Sequence, residues 1–294
     1  MRVTFHIGLH STDEDRALGC LLANETLLAR EGTAVPRPGL FRPALRDAMV
    51  SLKGAPAPTA LQEHILDAVT ATDRPRHIVF SSDSFLCVPQ KAVGEDCLYP
   101  LAGDRAIWIR NLFPDNDATI CFALRNPATL LPAIHARTGA TEDFADLMRT
   151  IRPEALNWFD MVERLAAGLD GTRIVLWSNE DAPILWPEIL ALLAGRSDGT
   201  AHDLASWDSF LAELLPAEAM TRMRSYLETH PPRDPSHRRR IIAAFLDRFA
   251  SPDAVEDAVE LPGWDHERIA DLTARYEADL VRIEQMPFVE VLKL

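Results

Sequence analysis

Four short stretches dominated by apolar, β-branched and aromatic residues punctuate the chain, at 3–8, 77–81, 119–124 and 173–177. They predict buried strands. Between them apolar residues recur at helix spacing: Ala17, Leu18, Leu21 and Leu22, then Leu61, Ile65, Ala68 and Val69. Pro127 suits the first turn of a helix whose face carries Leu130, Leu131 and Ile134, and Pro153 opens another with Leu156, Phe159, Val162 and Leu165. Strands alternating with helices predict an α/β fold with a mainly parallel sheet covered on both faces. Beyond about residue 195 only helical patterns continue, at 210–215, 217–227, 238–249 and 266–286. The reading is a single domain over 1–294, with an α/β core of about 1–200 and a helical part of about 201–294 packed on it.

Charge narrows the partners. With 44 acids against 30 bases the net charge is −14, which repels phosphate backbones and argues against nucleic acid. No apolar run approaches the roughly 20 residues of a membrane span, and the N-terminal apolar stretch is too short for a signal peptide. A cytoplasmic protein is expected. Cys20, Cys87, Cys97 and Cys121 form no C-x-x-C pair, so free thiols are expected and a zinc site is not. G-x-S-x-G, H-E-x-x-H and G-x-G-x-x-G are absent.

The stretch Phe5-His6-Ile7-Gly8-Leu9-His10-Ser11-Thr12-Asp13-Glu14-Asp15 runs from a strand into a helix. A loop in that position aims backbone N–H groups and a helix N-terminus at one spot, which suits an anion. It resembles the first motif of the sulfotransferase family, which in bacterial members reads approximately H-I-G-x-H-K-T-G-T-T before a leucine-rich helix. Further segments resemble the family in the expected order. Leu21-Leu22-Ala23-Asn24 and Leu27 to Gly32 look like its first helix and turn, and Ser81-Ser82-Asp83-Ser84-Phe85 like a segment after the second strand. Leu124-Arg125-Asn126-Pro127 looks like the R-[DN]-P motif, and Val175 to Asp181 like a late core strand with its acidic end. The resemblance implies a three-layer P-loop-like fold and a donor, 3′-phosphoadenosine 5′-phosphosulfate. It makes Ser11 and Thr12 cofactor-loop positions and gives Arg125 the nucleotide 3′-phosphate.

The chain departs from the motif where the chemistry sits. Ser11 stands in place of the family's Lys, Asp13 in place of Gly, and Glu14 and Asp15 in place of two Thr; Thr12 is retained. Ala133 and Leu130 replace the serine and second basic position that follow the Arg. Two like charges about 5 Å apart at an effective dielectric of 20 repel by roughly 3 kcal/mol before screening. The expectation is a sulfotransferase-like protein that has lost donor binding and acts as a binding or regulatory protein, its partner a small molecule or a protein. The alternative is an active sulfotransferase, or other group-transfer enzyme, with a remodelled loop. No cofactor is expected on the first reading, and the phosphosulfate donor or its bisphosphate product on the second.

The same acids also suit a plain helix start, with Ser11 or Thr12 as cap and carboxylates in the positive end of the dipole. A carboxylate catalyst at Glu14 or Asp15, or a divalent cation at Asp13 and Asp15, are further options. His10 and Asp83 close the first and second strands, where open α/β sheets bind ligands, and are the candidate catalytic residues. Arg125 binds an anion or pairs with Asp83 or Glu180. His6 reads as a hydrogen-bonded structural residue, and His237-Arg238-Arg239-Arg240 as a solvated helix start.

Overall fold

The computed structural model describes residues 1–71, 74–138, 144–197, 199–250, 261 and 263–294. Its centre is a six-stranded sheet of β1 (Arg2–Gly8), β2 (Thr33–Ala34), β3 (His77–Ser81), β4 (Asp117–Leu124), β5 (Arg173–Ser178) and β6 (Val289–Leu292). The order is β2-β3-β1-β4-β5-β6 and every pairing is parallel. The expected α/β class, a parallel sheet with helices on both faces and a mostly helical C-terminal part, is the observed one.

Side chains of the central strands alternate between the two faces. Val3, Phe5 and Ile7 join Ile78, Phe80, Ile120 and Phe122 in one core. Over that face lie α3 (Pro38–Leu52), α4 (Thr59–Val69), α5 (Ala102–Arg110), α6 (Pro127–Arg137), α7 (Phe144–Thr150), α8 (Trp158–Leu169) and α13 (His266–Ile283). Val79, Cys121, Ala123, Val175 and Trp177 face the other way, against α1 (Arg16–Ala23), α2 (Glu25–Arg30) and α9 (Ala182–Leu193). Helices α10 (Leu211–Leu214), α11 (Ala217–Thr229) and α12 (Pro235–Phe249) build a small third cluster around Leu211, Met223 and Ile242.

Polar residues on the second face are paired. Thr4 Oγ1 and His77 Nε2 lie 2.9 Å apart, and His6 Nδ1 lies 2.8 Å from Ser81 Oγ. His6 also stacks on Trp177 at 5.9 Å, so it is the structural histidine expected. Burial, helped by the nearby Arg2 charge, pushes His77 down to about 4, and it is neutral in the folded protein.

Three local expectations are corrected. The tail is not helical throughout: β6 pairs with β5, Ile174 opposite Val289, and extends the sheet. Its Val-Glu-Val-Leu stretch is too short for its alternation to stand out beside a long helix. Pro153 opens only a 3-10 turn, Pro153–Ala155, and α8 starts later, with the Asn157 side chain accepting the Asp160 N–H at 2.8 Å. The basic run at 237–240 is not wholly solvated, because Arg238 is buried and Arg239 binds Glu188 at 3.0 Å. The four cysteines are free. Among the described residues no helix is long and apolar enough to cross a membrane.

Candidate functional site

Because every strand runs the same way, the loops after β1, β3 and β4 leave one edge of the sheet. After β1 the chain turns toward β2, and after β4 toward β5, so a crevice opens between these neighbours. The three loops meet there. Gly8 lies in the left-handed region at φ +63, and a Cβ on it would stand 2.9 Å from the Asp83 Cα. A side chain would force the β1 and β3 loops apart. On the other flank Arg125 Nη1 donates to the Ser11 carbonyl at 2.7 Å. His10, Ser11, Thr12, Asp83 and Arg125 are therefore all brought to one edge.

The β1 loop is strained and tied down. Leu9, Ser11, Glu14 and Asp15 have φ of 78, 59, 48 and 65, each disfavoured by on the order of 1 kcal/mol for a residue with a Cβ. Thr12 Oγ1 donates to the Leu9 carbonyl at 2.8 Å, and the His10 N–H donates to Tyr99 Oη at 2.9 Å. The Ala17 N–H at the head of α1 donates to Asp13 Oδ2 at 3.1 Å, and Arg16 Nη1 to the Asp13 carbonyl at 3.0 Å. Asp13, rather than Ser11 or Thr12, serves the helix N-terminus. The left-handed residues at 14 and 15 carry the helix start past Thr12, whose hydroxyl turns back into the loop. Residues 10–13 are all buried.

Cations from other elements close over the acids. Arg42 of α3 donates to both Asp15 oxygens, at 2.7 and 2.9 Å, and to the Ser81 carbonyl at 3.3 Å. Arg16 reaches Glu213 through two contacts, at 2.7 and 2.6 Å. Arg137 of α6 pairs with Asp83, whose other oxygen accepts from Ser84 Oγ at 2.9 Å. Burial works against the Asp83 carboxylate, yet the Arg137 hydrogen bond and charge hold its pKa below the ordinary range. Glu180 accepts from the Asn126 N–H, the Ser178 hydroxyl and the Tyr276 hydroxyl.

His10 is only partly satisfied. Its ring stacks on Tyr99 at 5.7 Å and Nδ1 lies 3.1 Å from Tyr99 Oη. The Tyr99 oxygen already accepts the His10 backbone N–H, so its own proton is available to Nδ1 and the ring proton falls on Nε2. That atom is buried with no hydrogen-bond partner. Burial lowers the His10 pKa, with Asp83 opposing and Arg137 adding to the fall. The ring is neutral at neutral pH.

Arg42, Tyr99 and Arg137 are absent from the sequence-based site. Arg42 reads as one more polar position on an amphipathic helix, and Tyr99 and Arg137 lie far along the chain from the loops they serve. Among the described residues there is no group of three or more His, Cys, Asp or Glu placed to hold a metal ion.

No family model matches the chain, and no curated protein matches it. A solved structure that resembles it is the crystal structure of a sulfotransferase from Alicyclobacillus acidocaldarius, at 12% identity and a TM-score of 0.41, covering 83% of this chain and 95% of that one. A likeness at that level transfers no site residue.

Proposed function

We propose that this chain is a non-catalytic binding or regulatory protein on a sulfotransferase-like scaffold, its 1–294 span acting as one domain. The observation that carries the reading is that the chain's own carboxylates hold the groups a phosphosulfate would need. Asp13 occupies a backbone donor at the head of α1, and Asp15 holds the Arg42 guanidinium through both carboxylate oxygens. Arg125, the residue matched to the 3′-phosphate position, donates to Ser11 within the loop. No lysine stands at position 11 to add an attractive charge. The residues present do not fit the donor, so no transfer step is derived through it.

Titration calorimetry with adenosine 3′,5′-bisphosphate tests this. The expected result is no saturable heat; binding in the micromolar range would overturn the reading. A second reading, an active group-transfer enzyme with a remodelled loop, draws support from the unpartnered His10 Nε2 beside Asp83. Donor turnover that disappears in His10→Gln would favour it.

A further inference from the structure

Between α3 and the segment after β3 the surface folds into a cavity of about 560 Å³. That volume is in the range of small-molecule pockets. Met49, Phe85 and Leu86 line it from the core and are buried. Val50, Val88 and Leu101 line it from outside and leave 56%, 50% and 38% of their surface in water. Large apolar side chains exposed together around a hollow mark a binding surface, unlike ones scattered singly.

Four cations also line the cavity, Arg42, Arg46, Lys91 and Arg105, and no described carboxylate does. In a chain of net charge −14 this is a local reversal of sign. Arg42 is held by Asp15, and Arg46 touches Asp47 at 3.3 Å with both side chains largely in water. Arg105 lies over the Trp108 ring at 4.2 Å. Lys91 has no ion pair among the described residues. The Cys87 thiol in the wall is pushed up to about 12, chiefly by burial, so it adds no negative charge.

We propose that this cavity binds a small amphiphilic anion, a molecule with an apolar chain or ring body and a carboxylate or similar anionic head. The body covers Met49, Phe85 and Leu86 and takes the exposed rim out of water. The head meets Lys91, Arg46 and Arg105, which have no carboxylate of their own inside the hollow. A neutral apolar ligand would leave the cations unmatched, and a small inorganic anion would leave the apolar floor and rim wet. A free small molecule is favoured over a lipid surface because the floor is recessed below the rim. The proposal deepens the binding-protein reading by naming a ligand class, and its probe is not a nucleotide, so the two can fail separately.

The test is titration calorimetry of the full chain with decanoate, decan-1-ol and acetate. Decanoate is expected to bind saturably in the micromolar range, decan-1-ol at least about tenfold more weakly, and acetate not at all. The double substitution Lys91→Gln and Arg46→Gln is expected to weaken decanoate at least about tenfold. Both side chains are exposed, so the fold, checked by circular dichroism and thermal melting, is expected to be unchanged. Added salt should weaken decanoate and leave decan-1-ol unaffected. Equal affinity for decanoate and decan-1-ol, no decanoate binding, or an unchanged decanoate affinity in the double variant would each overturn the proposal. So would co-sedimentation with phosphatidylglycerol vesicles, lost in the double variant, in a protein that ignores decanoate: the surface would then serve a lipid headgroup.

Discussion

Two places at the same edge of the sheet handle charge in opposite ways, and they share Arg42. In the β1 loop every acid is matched from within the fold or stands in water. Asp13 serves α1, Asp15 holds Arg42, and Arg137 holds Asp83. A few residues along α3, cations surround an apolar hollow that no described carboxylate lines. The loop has the more suggestive sequence and the cavity the less, yet the unmet chemistry lies mostly in the cavity. A charge matched inside the fold stabilises structure, whereas charges left unmatched around exposed apolar surface are available to a ligand.

The contrast breaks most visibly if the loop can be reopened. Ser11→Lys, Asp13→Gly, Glu14→Thr and Asp15→Thr together restore a cation, remove three negative charges and free Arg42. This variant is expected to bind adenosine 3′,5′-bisphosphate at least about a hundredfold better than the natural chain, roughly 2.7 kcal/mol. Calorimetry on both proteins checks it. The gain is expected to be partial, because Leu130 and Ala133, at the positions the resemblance gives to the 3′-phosphate, bring neither a cation nor a hydroxyl. No gain at all would mean that something other than charge closes the loop.

Tyr99→Phe comes next in size. It removes the hydroxyl that accepts the His10 N–H and bonds Nδ1, leaving buried polar groups unpaired at a loss of about 1–3 kcal/mol. Urea unfolding should show the loss, while decanoate binding at the cavity is unchanged. If both fall together, the two regions are one cooperative unit.

Acid acts on the folded state through the same buried imidazoles. His77 sits near 4 when folded, below the ordinary histidine value of about 6.5, and His10 is lowered as well. The unfolded chain therefore binds more protons in this window, and stability falls as pH drops from about 6.5 toward 4. For His77 alone the loss approaches about 3 kcal/mol. Urea midpoints measured across that range test it; a flat profile would mean that these rings titrate normally.

Smaller effects sharpen the division of labour inside the loop. Asp13→Ala removes the carboxylate from the head of α1 and should destabilise by about 1 kcal/mol, whereas Ser11→Ala should stay within about 0.5 kcal/mol. Thermal melting distinguishes them, and the reverse ranking would restore Ser11 as the cap. Asp15→Asn releases Arg42 toward the cavity and should strengthen decanoate by a few fold, the scale of a half-exposed ion pair. Weaker binding in that variant would show that Asp15 holds Arg42 in its useful position.

Much of the fold was legible. The four central strands were read within two residues of their bounds, because strands buried on both faces need apolar runs that few other structures tolerate. The helices α1, α4, α6, α11, α12 and α13 followed from their spacing. The edge strands were not legible: β2 is two residues long, and Val289–Leu292 is a strand only because β5 offers a free edge. Of the candidate residues, His10 and Asp83 were read from their places at strand ends, and Ser11, Thr12 and Arg125 only through the resemblance; the structure gathers all five at one edge. The Asp13 contact to the head of α1 was missed: Ser11 and Thr12 are ordinary capping residues, but the left-handed backbone at Glu14 and Asp15 moves the helix start past them and leaves the Ala17 N–H to Asp13.

The sequence by itself determined the segments and their chemistry: which stretches are strands, where the loop after β1 lies, and that it carries Asp13, Glu14 and Asp15 in succession. Apolar periodicity and charge are local properties, and a chain displays them before it folds. Only the tertiary structure decided what those charges meet. Arg42 reaches Asp15 across 27 residues, Arg137 reaches Asp83 across 54, and Tyr99 reaches His10 across 89. The cationic cavity likewise joins α3, the segment after β3 and the head of α5, none of which is a site alone. Pairings of this kind depend on how helices pack on the sheet, and packing is set by the whole core at once.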